Sequence, residues 1–296
     1  MIVVVLLKTR QEERNVQVQS KPTCLFWCVH KHVYIFAGYI GMECAAALAN
    51  NGLQVTMVFP ESRLMERFFT PEIAGFYEKF YEDKGITLVK GALASGFRGD
   101  DSGAVTHTLL KDGRELESSL VIVGVGARPN IELFKGQLEL VDGPPGGIKV
   151  DASLEASTPG VWAIGDVAAF PQPREQGSLT RQEHVAHCRA SAAHAVAAML
   201  GAAPGPYDYL PFFYSRVFSL SWQFYGSARG KVVHFGNFDS GKFGAYWVDE
   251  EKVVGSFLEG GSPEEFAAIK RVAQVQPAAP PAEELAAQGV EFGSKL

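Results

Sequence analysis

The stretch Val33-Tyr34-Ile35-Phe36-Ala37-Gly38-Tyr39-Ile40-Gly41-Met42-Glu43 (residues 33–43) decides the fold class. An apolar strand leads into a glycine turn and an Ala-rich helix over Gly41–Asn51, and a second apolar strand follows over Gln54–Phe59. This order predicts a βαβ unit with parallel strands. In such a unit the N–H groups at the helix start can hold the pyrophosphate of a dinucleotide, and small residues such as Gly38 let the backbone approach it.

The motif alone is a weak signal, because Phe36 stands where the first glycine of GxGxxG belongs, and a tight strand-helix turn explains the stretch equally well. Glu61 strengthens the nucleotide interpretation, since it ends the second strand about 20 residues after the turn, where a carboxylate binds the ribose hydroxyls of NAD and repels a 2′-phosphate. A solvated loop charge is the alternative. Glu61 therefore favours NADH. Arg67 nearby can tolerate a 2′-phosphate, so NADPH is less favoured but not excluded.

Composition is that of a globular protein. Of the 296 residues 47% are hydrophobic and 20% charged, which excludes a mainly disordered chain. A net charge of −6 with interspersed signs gives no basic surface, so no nucleic-acid partner is expected. The longest apolar run, Ile2–Leu7, is far shorter than the ~20 residues of a bilayer span, and no membrane span is expected.

The four cysteines form neither a disulfide framework nor a zinc set, and we expect them to be ordinary thiols. They are Cys24, Cys28, Cys44 and Cys188.

Two further glycine turns follow apolar strands. Gly126, within residues 124–130, can pass under a nicotinamide ribose, although any strand exit has this appearance. Asp166 follows Gly165 after a predicted strand over Val161–Ile164, so its carboxylate can reach a bound polyol. The alternative for Asp166 is a plain helix N-cap. A long Ala/His-rich helix is predicted over Gln182–Leu200.

Short aromatic strands after residue 206, followed by a helix that begins at Pro263, predict a small α+β domain. The Pro/Ala-rich tail after Gln276, with a brief helical patch over Glu283–Gln288, is expected to lie draped on the surface.

Several of these stretches resemble the flavin-dependent pyridine-nucleotide disulfide oxidoreductase superfamily and, within it, the monodehydroascorbate reductases. The quoted stretches are YIGME (39–43), GVGARPN (124–130), AIGDVA (163–168), EHVAHCR (183–189), LPFFYSR (210–216), WQFYG (222–226) and FLEGGSPEE (257–265). The resemblance implies hydride transfer from NADH to FAD, followed by single-electron reduction of the ascorbate radical, a small-molecule substrate.

The resemblance also implies site residues. The nicotinamide nucleotide is expected at Ala37, Gly38, Tyr39, Ile40, Gly41, Met42, Glu43, Glu61, Arg67, Gly126, Glu183 and His184. FAD is expected at Asp166, Val185 and Tyr214, and the anionic substrate at Arg189 and Tyr214, where a guanidinium supplies charge and an aromatic ring a flat surface. No catalytic residue is implied. Glu183, His184 and His187 lack further ligands at suitable spacing, so no metal is expected.

The expected fold class is therefore α/β, with a Rossmann-like nicotinamide-nucleotide domain, a partial FAD domain and a C-terminal α+β interface domain. The expected boundaries are 1–32 without assignment, 33–145, 146–203, 204–275, and a tail over 276–296. The first half of the FAD domain has no counterpart, so a flavin-less nucleotide-binding or interaction remnant stays open as the alternative function. The last residues, Ser294-Lys295-Leu296, match the peroxisomal address; without it the expectation is a cytoplasmic protein. The sequence gives no oligomeric state.

Overall fold

The computed structural model describes the main chain of residues 32–36 and all of residues 38–202 and 205–296. The expectations on Ala37, Cys24 and Cys28 lie outside the described residues. The chain divides into two compact units. The first comprises the described residues up to Ala127 together with Ser215–Ser221, and the second comprises Arg128–Tyr214 and Trp222–Leu296. Within the described ranges, no helix has the length and apolar character needed to cross a bilayer.

The first unit is built around a parallel sheet. Its described elements are β1 (His32–Phe36), α1 (Tyr39–Asn50), β2 (Gln54–Phe59), α2 (Pro71–Asp83), β3 (Thr87–Lys90), β4 (Ala94–Gly99), β5 (Val105–Leu110), β6 (Glu115–Glu117) and β7 (Leu120–Ile122). Four strands pair in parallel in the order β3-β2-β1-β7. The strands β4, β5 and β6 form a separate antiparallel sheet. The predicted βαβ unit is confirmed, and α1 begins two residues earlier than expected, at Tyr39.

Helix α2 fixes α1 from one side. Thr70 caps α2 by accepting the Ile73 N–H at 3.2 Å, and Pro71 occupies the first helical position. The buried face of α2 includes Tyr81, whose hydroxyl donates to the Met42 carbonyl of α1 at 3.0 Å. This contact ties the helix of the glycine turn to the core of the unit.

The second unit contains two sheets and four helices in its described part. Its strands are β8 (Ile148–Lys149), β9 (Ala168–Gln172), β10 (Ser178–Thr180), β11 (Phe212–Val217), β12 (Leu220–Gly226), β13 (Lys231–Asn237), β14 (Lys242–Asp249) and β15 (Lys252–Glu259). Its helices are α3 (Val185–Met199), α4 (Pro263–Val275), α5 (Ala282–Gln288) and α6 (Glu291–Ser294). The tip of β11 and β12, Ser215–Ser221, counts with the first unit.

The expected strand over Val161–Ile164 is wrong. Trp162 forms only an isolated bridge with Glu155, because Gly160 and Gly165 both have positive φ and interrupt the extended chain on either side. Helix α3 begins at Val185 rather than at Gln182, since the preceding residue, His184, is its N-cap.

The C-terminal sheet has the order β11-β12-β15-β14-β13, and α4 packs on it. Gly226 and Gly255 face each other across β12 and β15, and a Cβ on either residue would meet main-chain atoms of the opposite segment. The expectation of a surface-draped tail is wrong. Leu285 of α5 is fully buried in the cluster that includes Ile269 and Val272, because this apolar side chain completes the core.

Candidate cofactor and substrate site

The start of α1 is open toward a ligand. Gly38 is the N-cap with φ −111° and ψ −171°, and no described side chain caps the helix. A Cβ at Gly38 would meet nothing within 4 Å. Behind the turn Gly41 and Met42 are buried, while Ile40 is exposed. These residues fit a dinucleotide, because a pyrophosphate can reach the first-turn N–H groups without displacing a side chain. Tyr39 is the first helical residue.

Glu43 is held inside the first unit. Its Oε1 accepts the Ser215 hydroxyl at 2.6 Å, and its side chain is half-buried. The carboxylate therefore has a protein partner, and its expected nucleotide contact stays a prediction.

Glu61 lies two residues after β2 and is half-buried. Its main chain is fixed by the Gly91 N–H, which donates to the Glu61 carbonyl at 3.2 Å. Among the described residues nothing bonds to its carboxylate. Arg67 is exposed and likewise has no described ion pair, whereas Arg63 is paired with Glu66 at 3.1 Å. The two groups expected to choose between NADH and NADPH are thus both available.

The second expected nucleotide turn follows β7. Gly126 has φ +92°, is exposed, and has open space where a Cβ would lie. The positive φ explains the glycine without a ligand, so its role stays a prediction.

Helix α3 holds the Gly165–Asp166 turn through three polar side chains. The Gly165 N–H donates to Ser191 Oγ at 3.0 Å, and His187 Nε2 lies 3.3 Å from the Gly165 carbonyl. Cys188 Sγ donates to Asp166 Oδ1 at 3.2 Å. Asp166 is exposed and caps no described helix, so the plain N-cap alternative is not what the structure shows.

A guanidinium holds the same turn from outside. Arg181 donates to the Asp166 carbonyl and to the Pro145 carbonyl, both at 2.9 Å, and pairs with Glu183 at 2.6 Å. Glu183, an expected nicotinamide contact, is therefore engaged with a neighbouring residue.

The protonation of this cluster follows from burial. Burial raises the pKa of the Cys188 thiol, and the hydrogen bond to Asp166 raises it further, so Cys188 is a neutral donor. Burial lowers the pKa of His187 and outweighs the opposite effects of the Gly165 carbonyl and Asp166. His187 is therefore neutral at pH 7.

His184 joins the start of α3 to β11. Its Nδ1 accepts the Ala186 N–H at 3.1 Å, and its ring meets the Tyr214 ring edge-on at 5.9 Å, with Phe212 and Phe213 alongside. Partial burial lowers the pKa of His184, against the effect of Asp166. Val185 and Tyr214 are 53% and 44% exposed, so both can contact a ligand.

Arg189 lies one helical turn after Val185 on the same face of α3. It is exposed, and no residue in the described ranges bonds to it. The structure thus connects Tyr214 to His184, and Asp166 to Cys188, while Arg189 has no protein partner among the described residues.

The buried face of α3 was missed by sequence reasoning. His187, Ser191 and Ala195 are buried at intervals of four residues, a helical period that marks an inward face. Cys188 is a free thiol, as expected, but sequence reasoning missed the hydrogen bond that it donates to Asp166. Within the described part of the chain, no group of three or more His, Cys, Asp or Glu residues is placed to hold a metal ion.

Comparison with known proteins agrees with this architecture. Residues 4–197 match the family described as pyridine nucleotide-disulphide oxidoreductase, and residues 210–293 match the monodehydroascorbate reductase 3-like C-terminal domain. The first match begins inside the segment 1–32 that the sequence analysis leaves unassigned. The chain belongs to the pyridine nucleotide-disulphide oxidoreductase family, and the expected fold class is confirmed.

Two curated relatives illustrate the likeness. The chain is 52% identical over 263 residues to the peroxisomal monodehydroascorbate reductase 2 of Oryza sativa subsp. japonica, covering 88% of this chain and 55% of the relative. It is 50% identical over 274 residues to the monodehydroascorbate reductase of Pisum sativum, covering 90% of this chain and 62% of the relative. The chain thus spans little more than half the length of these relatives.

Among solved structures, the ferredoxin reductase for the CYP199A2 system from Rhodopseudomonas palustris superposes with a TM-score of 0.79 and 31% identity, over 90% of this chain and 64% of that one. Putidaredoxin reductase, in its covalent complex with putidaredoxin, superposes with a TM-score of 0.81 and 25% identity, over 90% of this chain and 63% of that one. Family membership supports FAD and a pyridine nucleotide as cofactors. The open turn at Gly38 fits the nucleotide, and the exposed carboxylate of Asp166 fits a polyol such as the ribityl chain of FAD.

Proposed function

We propose that the chain takes part in the NADH-dependent reduction of the monodehydroascorbate radical. The contact between His184 and Tyr214 carries the proposal, because it brings a residue expected near the nicotinamide against one expected to contact both flavin and substrate, at the start of α3. FAD, when bound, links a two-electron hydride donor to a one-electron acceptor. Identity of about half over most of the chain to reductases of this name supports the same activity and does not favour a flavin-less remnant.

The substrate is bound, in this proposal, by Arg189 and Tyr214. The radical is an anion, and an exposed guanidinium with no described protein partner can pair with it. The exposed Tyr214 ring gives a flat apolar surface beside the substrate.

The preferred nucleotide in this proposal is NADH. The carboxylate of Glu61 has no described protein partner and can accept the ribose hydroxyls, whereas the 2′-phosphate of NADPH would bring like charges together. Arg67 reduces this penalty, so NADPH remains a weaker substitute.

Steady-state kinetics test the activity. The purified chain, supplied with FAD, is expected to consume NADH only while ascorbate is being oxidised to its radical by a separate oxidase. The proposal would be overturned by a rate of NADH consumption that is the same with and without the radical. It would also be overturned if no NADH were consumed although FAD and NADH are bound. Visible absorbance of the dialysed protein reports the bound flavin independently of turnover.

We also propose a peroxisomal location. The relatives include reductases named as peroxisomal, and the tripeptide Ser294-Lys295-Leu296, which begins at the last residue of α6, is exposed. A fluorescent protein fused before residue 1 is expected in peroxisomes, and the same fusion without these three residues in the cytosol. Equal distributions would contradict the proposal.

A further inference from the structure

We propose that His187 is a positioning residue for the Gly165–Asp166 turn and thereby sets the affinity of the chain for flavin. The flavin part rests on the proposed function. His187 is fully buried, and its hydrogen-bond partners are Tyr207 and the Gly165 carbonyl. Its effect is exerted through the main chain of the turn.

The direction of the hydrogen bonds fixes the tautomer of His187. A carbonyl oxygen can only accept, so Nε2, at 3.3 Å from the Gly165 carbonyl, carries the proton. Nδ1 then accepts from the Tyr207 hydroxyl at 3.0 Å. The result is a directed chain of donors from Tyr207 through a neutral imidazole to the turn.

The ring has little freedom to move. It stacks on Phe170 at 5.2 Å with an interplanar angle of 16°, and Tyr209 meets it edge-on at 5.1 Å. A ring held on its face and its edge keeps the Nε2 donor aimed at one point.

The peptide group that His187 holds also carries the N–H of Asp166. Ser191 fixes the other side of Gly165, whose φ of +67° is a conformation that glycine adopts without strain. With both sides of Gly165 held by α3, the direction in which the Asp166 carboxylate leaves the turn is fixed. Cys188, the next residue of α3, then meets that carboxylate at 3.2 Å.

Three variants and a matched control test this role. His187→Leu removes the donor, His187→Gln restores an N–H near the Nε2 position, and Tyr207→Phe removes only the hydroxyl behind it. His194→Leu is the control, since His194 lies on the same helix and contacts the Tyr207 ring at 5.0 Å but makes no described hydrogen bond to the turn. Circular dichroism verifies that each variant is folded.

The first measurement is FAD binding, by quenching of the fluorescence of free FAD. We expect His187→Leu to raise the dissociation constant about tenfold, as for loss of one buried hydrogen bond. The dissociation constants of His187→Gln and His194→Leu should remain within about threefold of that of the unaltered chain. The dissociation constant of Tyr207→Phe should lie between these values and that of His187→Leu.

The second measurement needs no flavin. Iodoacetamide labelling resolved by peptide mass spectrometry gives the alkylation rate of Cys188 alone. In a loosened turn Asp166 moves away from Cys188, and its contact no longer keeps the thiol protonated. Cys188 should therefore be alkylated faster in His187→Leu than in His194→Leu. Equal rates and equal FAD affinities in these two variants would overturn the inference.

The two measurements separate the two proposals. If the unaltered chain binds no FAD, the proposed function and the flavin part of this inference fail together, and the alkylation comparison alone decides the positioning role. If His187→Leu fails to fold, the comparison of Tyr207→Phe with His194→Leu decides it in the same way.

Discussion

The hydroxyl of Tyr81 donates to the main-chain carbonyl of Met42 at 3.0 Å, and so joins α2 to the helix that follows the glycine turn. Tyr81 is fully buried, and burial raises the pKa of its hydroxyl far above neutral pH, so the group remains a donor. The start of α1 is therefore supported from inside the first unit.

Removing this hydroxyl is expected to lower stability without changing shape. Tyr81→Phe should reduce the free energy of unfolding by about 1 kcal/mol, as for one buried hydrogen bond. Urea denaturation measures it. Tyr214→Phe, at an exposed ring, is the control and should change the midpoint little. A Tyr81→Phe midpoint equal to that of the control would contradict the role of this bond.

A methyl group at Gly38 is expected to separate nucleotide binding from folding. Gly38→Ala meets no atom within 4 Å and should lower stability by under ~1 kcal/mol, since alanine is a poorer N-cap, yet it occupies the path of the pyrophosphate. Titration with NADH should show a weaker affinity. Gly75→Ala, on α2 and equally unobstructed, should bind NADH normally. Unchanged affinity in Gly38→Ala would exclude the turn as the nucleotide site.

Nucleotide preference is expected to depend on Glu61. Glu61→Lys should shift the ratio of NADPH to NADH affinity toward NADPH by about tenfold or more, because a like charge facing the 2′-phosphate is replaced by an opposite one. The exposed Glu82 of α2 offers the control Glu82→Lys, which should leave the ratio alone. A ratio that moves equally in both variants would show a general charge effect.

Substrate choice is expected to depend on Arg189. Arg189→Ala should lose most of its rate with the ascorbate radical and keep most of its rate with ferricyanide, since only the former requires the guanidinium. Arg229→Ala, at an exposed arginine bonded to Ser227, is the matched control. Parallel losses with both acceptors would assign Arg189 a structural role.

The pH dependence of stability is expected to report His187. Its pKa in the folded chain is lowered by burial, so below about pH 6.5 the unfolded chain takes up a proton that the folded chain does not. Stability present above that pH is therefore lost as the pH falls. Thermal unfolding from about pH 7.5 to pH 5.5 should show a shallower decline in His187→Leu than in the unaltered chain. Burial also lowers the pKa of His184, which adds to the decline in the same direction. An unchanged slope would contradict the assignment.

Local patterns predicted the elements but not the contacts between them. The strand over Gln54–Phe59 and the helix start at Pro263 are confirmed, because alternation, turns and caps act over a few residues. The contacts of His187 span 20 residues to Tyr207 and 22 to Gly165, and no local period encodes them. The prediction of a surface-draped tail was wrong, because the Pro/Ala-rich composition gives no sign that Leu285 belongs to the core.

The facing pair Gly226 and Gly255 bears on how this chain tolerates change. In a saturation mutagenesis screen scored by solubility, both positions should accept glycine alone, since any side chain would push two strands apart. Gly38 should accept alanine in that screen and reject it in a second screen scored by nucleotide capture. The difference between the two screens would map, glycine by glycine, which positions serve the architecture and which serve the ligand.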